Sequence, residues 1–279
     1  MPVRIVTDSA SDLDDAEAAA LGIEIVPLSI RFGDEEFTDR RDLTVAEFYR
    51  KMDTLDVLPE TAAPSPGAFE ATFRALAADG ADAIVCINLS RALSATGEAA
   101  ATAARAVADD IEVHCIDSKS ITAGLGTQVL AAARAPADGA RADEVVAIVE
   151  GLIPRTRVYG VLDTLENLKK GGRIGGAQAM LGTMLSIKPC LDLSSGEVAE
   201  AGKQRTRRKA LAWLRSVLAE AGEVEELAVI HGLAPDIDEF CESIADLVPR
   251  DKIRVAELGA VIGTHGGPRV VGICYLTAS

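Results

Sequence analysis

Three short clusters set hydroxyls where they could do chemistry: Thr7-Asp8-Ser9, the segment Thr61 to Pro66, and the segment Ser90 to Thr96. Each stands where a β-branched run ends or a helix is about to begin. There, hydroxyls and free helix N–H groups can hold an anion. Capping is the competing explanation for Ser65, Ser94, Asp8 and Asp12, since serine and aspartate commonly open helices. Thr61 lies outside the helix that follows it, so capping does not account for it. A second kind of chemistry comes from basic residues. Asn167 to Leu191 contains no acid but holds Lys169, Lys170, Arg173 and Lys188, and Lys203, Arg205, Arg207, Arg208 and Lys209 form another acid-free cluster. Such clusters could receive a phosphate or an acidic partner surface, or could simply be an exposed helix face around 203–209. Arg173 is flanked by glycines, and guanidinium binds phosphate bidentately. Gly263-Thr264-His265-Gly266-Gly267-Pro268 reads as a tight backbone turn beside a titratable ring, a hinge, an anion nest or a catalytic loop.

Other chemistries find no support. Cys86, Cys115, Cys190, Cys241 and Cys274 are odd in number, widely spaced and without a C-x-x-C pair, which argues against a disulfide scaffold or a cysteine zinc site. His114, His231 and His265 have no ligand spacing, and His114 reads as a core residue within a strand. No phosphate loop, nucleophile elbow or zinc-protease helix is present, and Gly124-Leu125-Gly126 lacks the third dinucleotide glycine, its place being taken by Val129. That pair of glycines reads as a helix start.

These groups need a scaffold, and the chain supplies one of ordinary globular composition: 279 residues, 48% hydrophobic and 25% charged. A net charge of −15 argues against general nucleic-acid binding and adsorption to anionic membrane. The longest uncharged stretches, Ser120 to Ala133 and Ile174 to Ile187, are 14 residues each, short of the roughly 18 that a spanning helix needs. The opening MPVRIVTDSASD has no apolar signal core, so the reading is cytoplasmic.

Strands are expected at Val3 to Val6, Ile23 to Ile30, Ile84 to Ile87 and Ile111 to Ile116, alternating with helices near Asp14 to Leu21, after the capping box Thr44 to Glu47, after Ser65-Pro66, and over Ser94 to Ala108. That alternation specifies a parallel sheet covered by helices. Helices at Leu125 to Ala133 and Asp143 to Leu152 follow. After Pro154 come a strand at Arg157 to Leu162, a hairpin from Ile187 through the turn Ser194 to Glu197 to a strand starting at Val198, and a helix at Thr206 to Ala221. Further strands are expected at Leu227 to Ile230, Ile253 to Leu258 and Val270 to Leu276, with a helix at Asp236 to Leu247. The expected fold is two α/β domains, 1–154 with a mainly parallel sheet and 155–279 with a mixed sheet, and a ligand cleft between them.

Taken in order, Thr7-Asp8-Ser9 with Asp12-Leu13, Thr61 to Pro66, Leu89-Ser90 with Leu93 to Thr96, Ile116-Asp117-Ser118, Asp163 to Glu166 through Lys170 to Ile174, Ile187-Lys188-Pro189, Lys203 with Arg205 and Arg207, and Gly263-Thr264-His265 resemble the DegV family over essentially the whole chain. The resemblance implies a fatty-acid-binding carrier, not an enzyme by itself, that holds a long-chain fatty acid such as palmitate or oleate between its domains. In some members it presents the carboxylate to a separate fatty acid kinase, which makes an acyl phosphate. Carried across, Thr61 and Ser94 would bind the carboxylate with His265 and Arg173 nearby, and Arg173, Arg205 and Arg207 would contact the kinase or the phosphate. No metal and no cofactor are implied. The pattern departs at Ala62 and Ala63, where serine and glutamine are usual, and at Ala95, where glycine is usual. The first departure would remove polar contacts near the head group, the second alter the backbone's approach. The low aromatic content, 4%, suits an aliphatic tunnel, to which the stretch Met180 to Leu185 could contribute. The rival reading is an independent phosphotransferase or hydrolase using Asp8, Asp117 and His265. A third is a pure interaction protein with an empty cleft.

Overall fold

The expected β-branched runs do form the first sheet. In the computed structural model, which describes residues 3–55, 57–180 and 187–278, β1 (Val3–Asp8), β2 (Ile23–Val26), β6 (Ala83–Asn88) and β7 (Glu112–Asp117) pair in the order β2-β1-β6-β7, every pair parallel. All six residues of β6 are buried, as expected of a central strand covered on both faces. Helices α1 (Asp15–Ala20), α3 (Pro66–Ala78), α4 (Thr96–Ala106), α5 (Thr122–Arg134) and α6 (Ala142–Leu152) lie among these strands, and α2 (Val45–Thr54) precedes α3. The Thr44–Glu47 capping box of α2 is present, and Ser65 Oγ accepts from Ala68 N at 3.2 Å to open α3.

Two expectations in this half are corrected. Ile23 to Ile30 is not one strand. Pro27 cannot donate to a ladder, and beyond it β3 (Ser29–Phe32) leaves the parallel sheet to pair antiparallel with β4 (Glu35–Thr38) and β5 (Glu60–Ala62). His114 is no core residue: it stands half-buried on the edge strand β7, with Nε2 3.1 Å from Glu112.

The second half contains β8 (Thr156–Val161), β9 (Lys188–Asp192), β10 (Ala199–Gln204), β11 (Val224–His231), β12 (Ile253–Glu257) and β13 (Val271–Thr277), in the order β10-β9-β8-β13-β11-β12. Only β11 and β12 pair parallel, and β9 and β10 make the expected hairpin. The helices are α7 (Glu166–Lys170), α8 (Arg207–Glu220), α9 (Ile237–Ser243) and α10 (Ala260–Gly266). The last corrects the expected turn at Gly263 to Pro268. Seven residues wind into a helix whose Gly263 face lies against Phe48 and Tyr49, and Gly267, at φ +79°, ends it.

Helix α5 joins the two sheets. Eleven of its residues are buried, and it packs against β1 and β6 on one side and β8, β11 and β13 on the other. Gly124 and Gly126 permit this: a Cβ on Gly124 would stand 2.7 Å from Val158 Cγ2, and one on Gly126 2.9 Å from the Ser11 carbonyl. The glycine pair is thus a packing device at a helix start. The largest core cluster runs through this junction, with Val85 and Leu125 alongside Val158 and Ile230.

Candidate functional site

In a parallel sheet the ligand crevice lies at the carboxyl ends of the strands, where the strand order reverses. Here the reversal falls between β1 and β6. The segments leaving those ends, with Leu28, Leu89, Leu93, Ser94 and Ile121, form one wall of a cavity, and the mixed sheet forms the other with Leu162, Leu191, Ile230 and Val270. Counting its opening to solvent, the space is about 840 Å³.

One end of this cavity is polar. Thr61, on β5 and paired with Ile30 of β3, points its Oγ1 at Nε2 of His265, 3.0 Å away in the last turn of α10. Burial, with the Arg173 guanidinium adding to it, pushes the His265 imidazole down to about 4, so the ring is neutral at physiological pH. Its Nδ1 is buried without a hydrogen-bond partner and lies over Gly171. Arg173 donates from Nε to the Leu93 carbonyl at 3.1 Å and from Nη1 to the Gly171 carbonyl at 2.7 Å, tying the loop after α7 to the loop after β6. Ser94 is not the first residue of α4, which starts at Thr96. Its Oγ accepts from Thr96 N at 3.3 Å and shares a hydrogen bond with Thr96 Oγ1 at 2.9 Å.

Thr61, Ser94, Arg173 and His265 all line the cavity, and Thr61, Arg173 and His265 also line a polar vestibule with Lys170, Asn167 and Thr264. Asn167 was not singled out from the sequence. Its Nδ2 donates to the Thr264 carbonyl at 3.1 Å and so holds α7 to α10. Its only sequence signal is its place in the acid-free run after Asp163.

The other basic residues lie elsewhere. Arg207 forms a two-pronged pair with Asp236, both contacts 2.8 Å, and stands 3.9 Å from Asp163, which also meets Lys188 at 2.7 Å and Arg269 at 3.4 Å. Arg205 is exposed just before α8. Neither lines the cavity. Asp8 accepts from Ala10 N, Leu89 N and Asn88 Nδ2 at 2.9–3.1 Å, and burial lifts its carboxyl to about 6. Asp117 accepts from the Arg91 and Lys119 amides. Both aspartates hold loops together and neither lines the cavity with His265.

None of Ala62, Ala63 and Ala95, where the family pattern departs, lines the cavity. Ala62 and Ala95 are exposed, and Ala95 takes φ −77°, a conformation open to any residue. Met180 is buried, and the rest of the expected aliphatic stretch, positions 181–185, lies outside the described residues. Among the described residues, no helix is long and apolar enough to cross a membrane, and no group of three or more His, Cys, Asp or Glu side chains is placed to hold a metal ion.

Fold and site together define an α/β protein with an apolar internal cavity that ends on a small set of polar side chains. The chain belongs to the DegV family: the family model described as "Uncharacterised protein, DegV family" matches residues 2–278. It is 38% identical over 278 residues to a DegV domain-containing protein of Streptomyces coelicolor, covering 97% of each chain. Among solved structures it is similar to a DegV family protein of Thermus thermophilus described by its fatty acid binding (33% identity, TM-score 0.89, all of both chains). It is also similar to Bacillus subtilis DegV, described as a fatty acid binding protein (29%, TM-score 0.88, all of both chains). A third neighbour is a stearic acid-binding protein of Eubacterium ventriosum (26%, TM-score 0.89, 99% and 98% covered).

Proposed function

We propose that this protein is a cytoplasmic carrier that binds one long-chain fatty acid, such as palmitate or oleate, between units 1–154 and 155–279 and presents its carboxylate to a separate fatty acid kinase. The observation that carries this reading is an apolar cavity ending on Thr61, Ser94, Arg173 and His265. A fatty acid has the matching shape. Burying about fifteen methylenes at about 0.8 kcal/mol each contributes on the order of 10 kcal/mol before ordering costs. The head group then needs donors. In the neutral tautomer that carries its proton on Nε2, His265 donates to Thr61 Oγ1 and leaves the Thr61 hydroxyl proton for the carboxylate beside the Ser94 hydroxyl. The fatty acid ligands named for the Thermus, Bacillus and Eubacterium proteins support the same assignment.

Presentation requires that the carboxylate be reached from outside, and the polar vestibule that shares Thr61, Arg173 and His265 with the cavity supports that reading. Arg173 borders both spaces, and Arg205 and Arg207 are second choices for contact with the kinase or the acyl phosphate. The test is Arg173→Ala, assayed for palmitate binding and, on the same preparation, for acyl phosphate formation with a cognate kinase and ATP. Binding should be nearly unchanged and acyl phosphate formation should drop by about tenfold, the loss of one charged contact worth about 1.4 kcal/mol. Equal loss of binding would make Arg173 a head-group ligand. No change in either would remove it from the site.

A further inference from the structure

The sheet wall of the cavity contains a gap in its row of side chains. Across the mixed sheet, Leu191 of β9 pairs with Gly160 of β8, Gly160 with Gly272 of β13, and Gly272 with Ile230 of β11. All four line the cavity. Val158 and Leu162 flank Gly160 on the same face and belong to the cluster around the cavity, whereas Val161 belongs to the cluster on the other face. A trough two residues wide thus crosses the sheet between two bulky aliphatic side chains.

The two glycines are there for different reasons. A Cβ on Gly272 would meet the Tyr159 carbonyl at 2.9 Å and Ile230 Cγ1 at 3.0 Å, so packing within the protein explains it. Gly160 has no such explanation. Its φ lies outside the left-handed region, and a Cβ there would find nothing nearer than the Val271 carbonyl at 3.8 Å. Glycine inside a strand weakens it, and where neither turn nor packing requires it, it marks a close approach by something else.

We propose that Gly160 is a specificity-determining residue: the acyl chain crosses the sheet directly over its backbone, and the missing side chain sets the length and bulk of the chain accepted. This rests on the fatty acid reading above. It is tested with Gly160→Ala and Gly160→Val, measuring affinity for straight-chain acids from octanoate to stearate by competition, and melting temperature without lipid. Both variants should fold, since the added Cβ meets nothing closer than ordinary van der Waals contact and valine favours strands. Gly160→Val should bind palmitate and stearate at least about tenfold more weakly, the cost of overfilling a packed space, while octanoate and decanoate keep most of their affinity. Gly160→Ala should fall between. If the ratio of stearate to decanoate affinity is the same in all three proteins, or Gly160→Val loses every chain length equally, the proposal is overturned while the fatty acid reading stands. If the parent protein binds no acid of any length, both fall.

Discussion

The two ends of the cavity are built in opposite ways. The polar end draws single residues from places far apart in the chain, Thr61 on β5, Ser94 after β6, Arg173 after α7 and His265 on α10, and fixes them by individual hydrogen bonds. The apolar floor takes one residue from each of four adjacent strands, Leu191, Gly160, Gly272 and Ile230, placed by the register of a single sheet. At the first end a single atom matters. At the second what matters is volume. Loss of the Thr61 or Ser94 hydroxyl at the polar end should therefore cost every fatty acid the same, whatever its length, whereas damage to the floor should scale with length.

The largest effect expected is at the polar end. Thr61→Val and Ser94→Ala each remove one hydroxyl from a charged head group, a loss of about 1.5–3 kcal/mol and so roughly tenfold to a hundredfold in affinity. Calorimetric titration with decanoate and palmitate should show the same factor for both acids. A factor that grows with chain length would erase the distinction between the ends, and unchanged binding in both variants would place the carboxylate elsewhere.

Smaller effects should follow pH. His265 is held down at about 4 against an ordinary 6.5, so its contribution to stability is complete above 6.5 and is lost as pH falls from 6.5 toward 4. Asp12 runs the other way. Its Oδ1 accepts from Gly259 N at 3.1 Å at the start of α10, Oδ2 is buried, and burial lifts the carboxyl to about 7, so stability is greatest below its ordinary 3.8 and declines as pH rises through 7. Asp12→Asn should therefore melt several degrees above the parent at pH 9, with the gap narrowing steadily as pH falls from 7 toward 4. Melting curves that stay parallel across this range would remove Asp12 from the set of buried carboxyls. Between pH 6 and 8 fatty acid affinity should stay flat, because His265 is neutral throughout.

What could be read without coordinates follows the same division. The runs Val3 to Val6 and Ile84 to Ile87 give the parallel sheet directly, because strands buried on both faces are written as continuous β-branched stretches, and Ile111 to Ile116, with Glu112 and His114 in it, is the half-exposed edge strand beside them. Glu35 to Thr38 and Glu60 to Ala62 are short and partly charged, and become strands only because β3 lies between them. Helix α10 is invisible in Gly263-Thr264-His265-Gly266. Its Gly263 face packs against Phe48 and Tyr49, more than two hundred residues away in the chain. At the site, the hydroxyl clusters and family motifs singled out Thr61, Ser94, Arg173 and His265, but their meeting at one end of a cavity is a tertiary fact. The run Lys203 to Lys209 looks uniform in sequence, whereas the fold pairs Arg207 with Asp236 and leaves Arg205 exposed. Likewise Gly160 gains its meaning only from the strand opposite.

The central claim is that an acyl chain fills this cavity with its carboxylate at Thr61 and Ser94. It is tested most directly by purifying the protein, extracting it under denaturing conditions and measuring the lipid by mass spectrometry. An apolar space of this kind should not stand open to water, so the extract should contain roughly one long-chain fatty acid per protein, and less from Thr61→Val. Lipid-free protein that also refuses added palmitate and oleate would contradict the account.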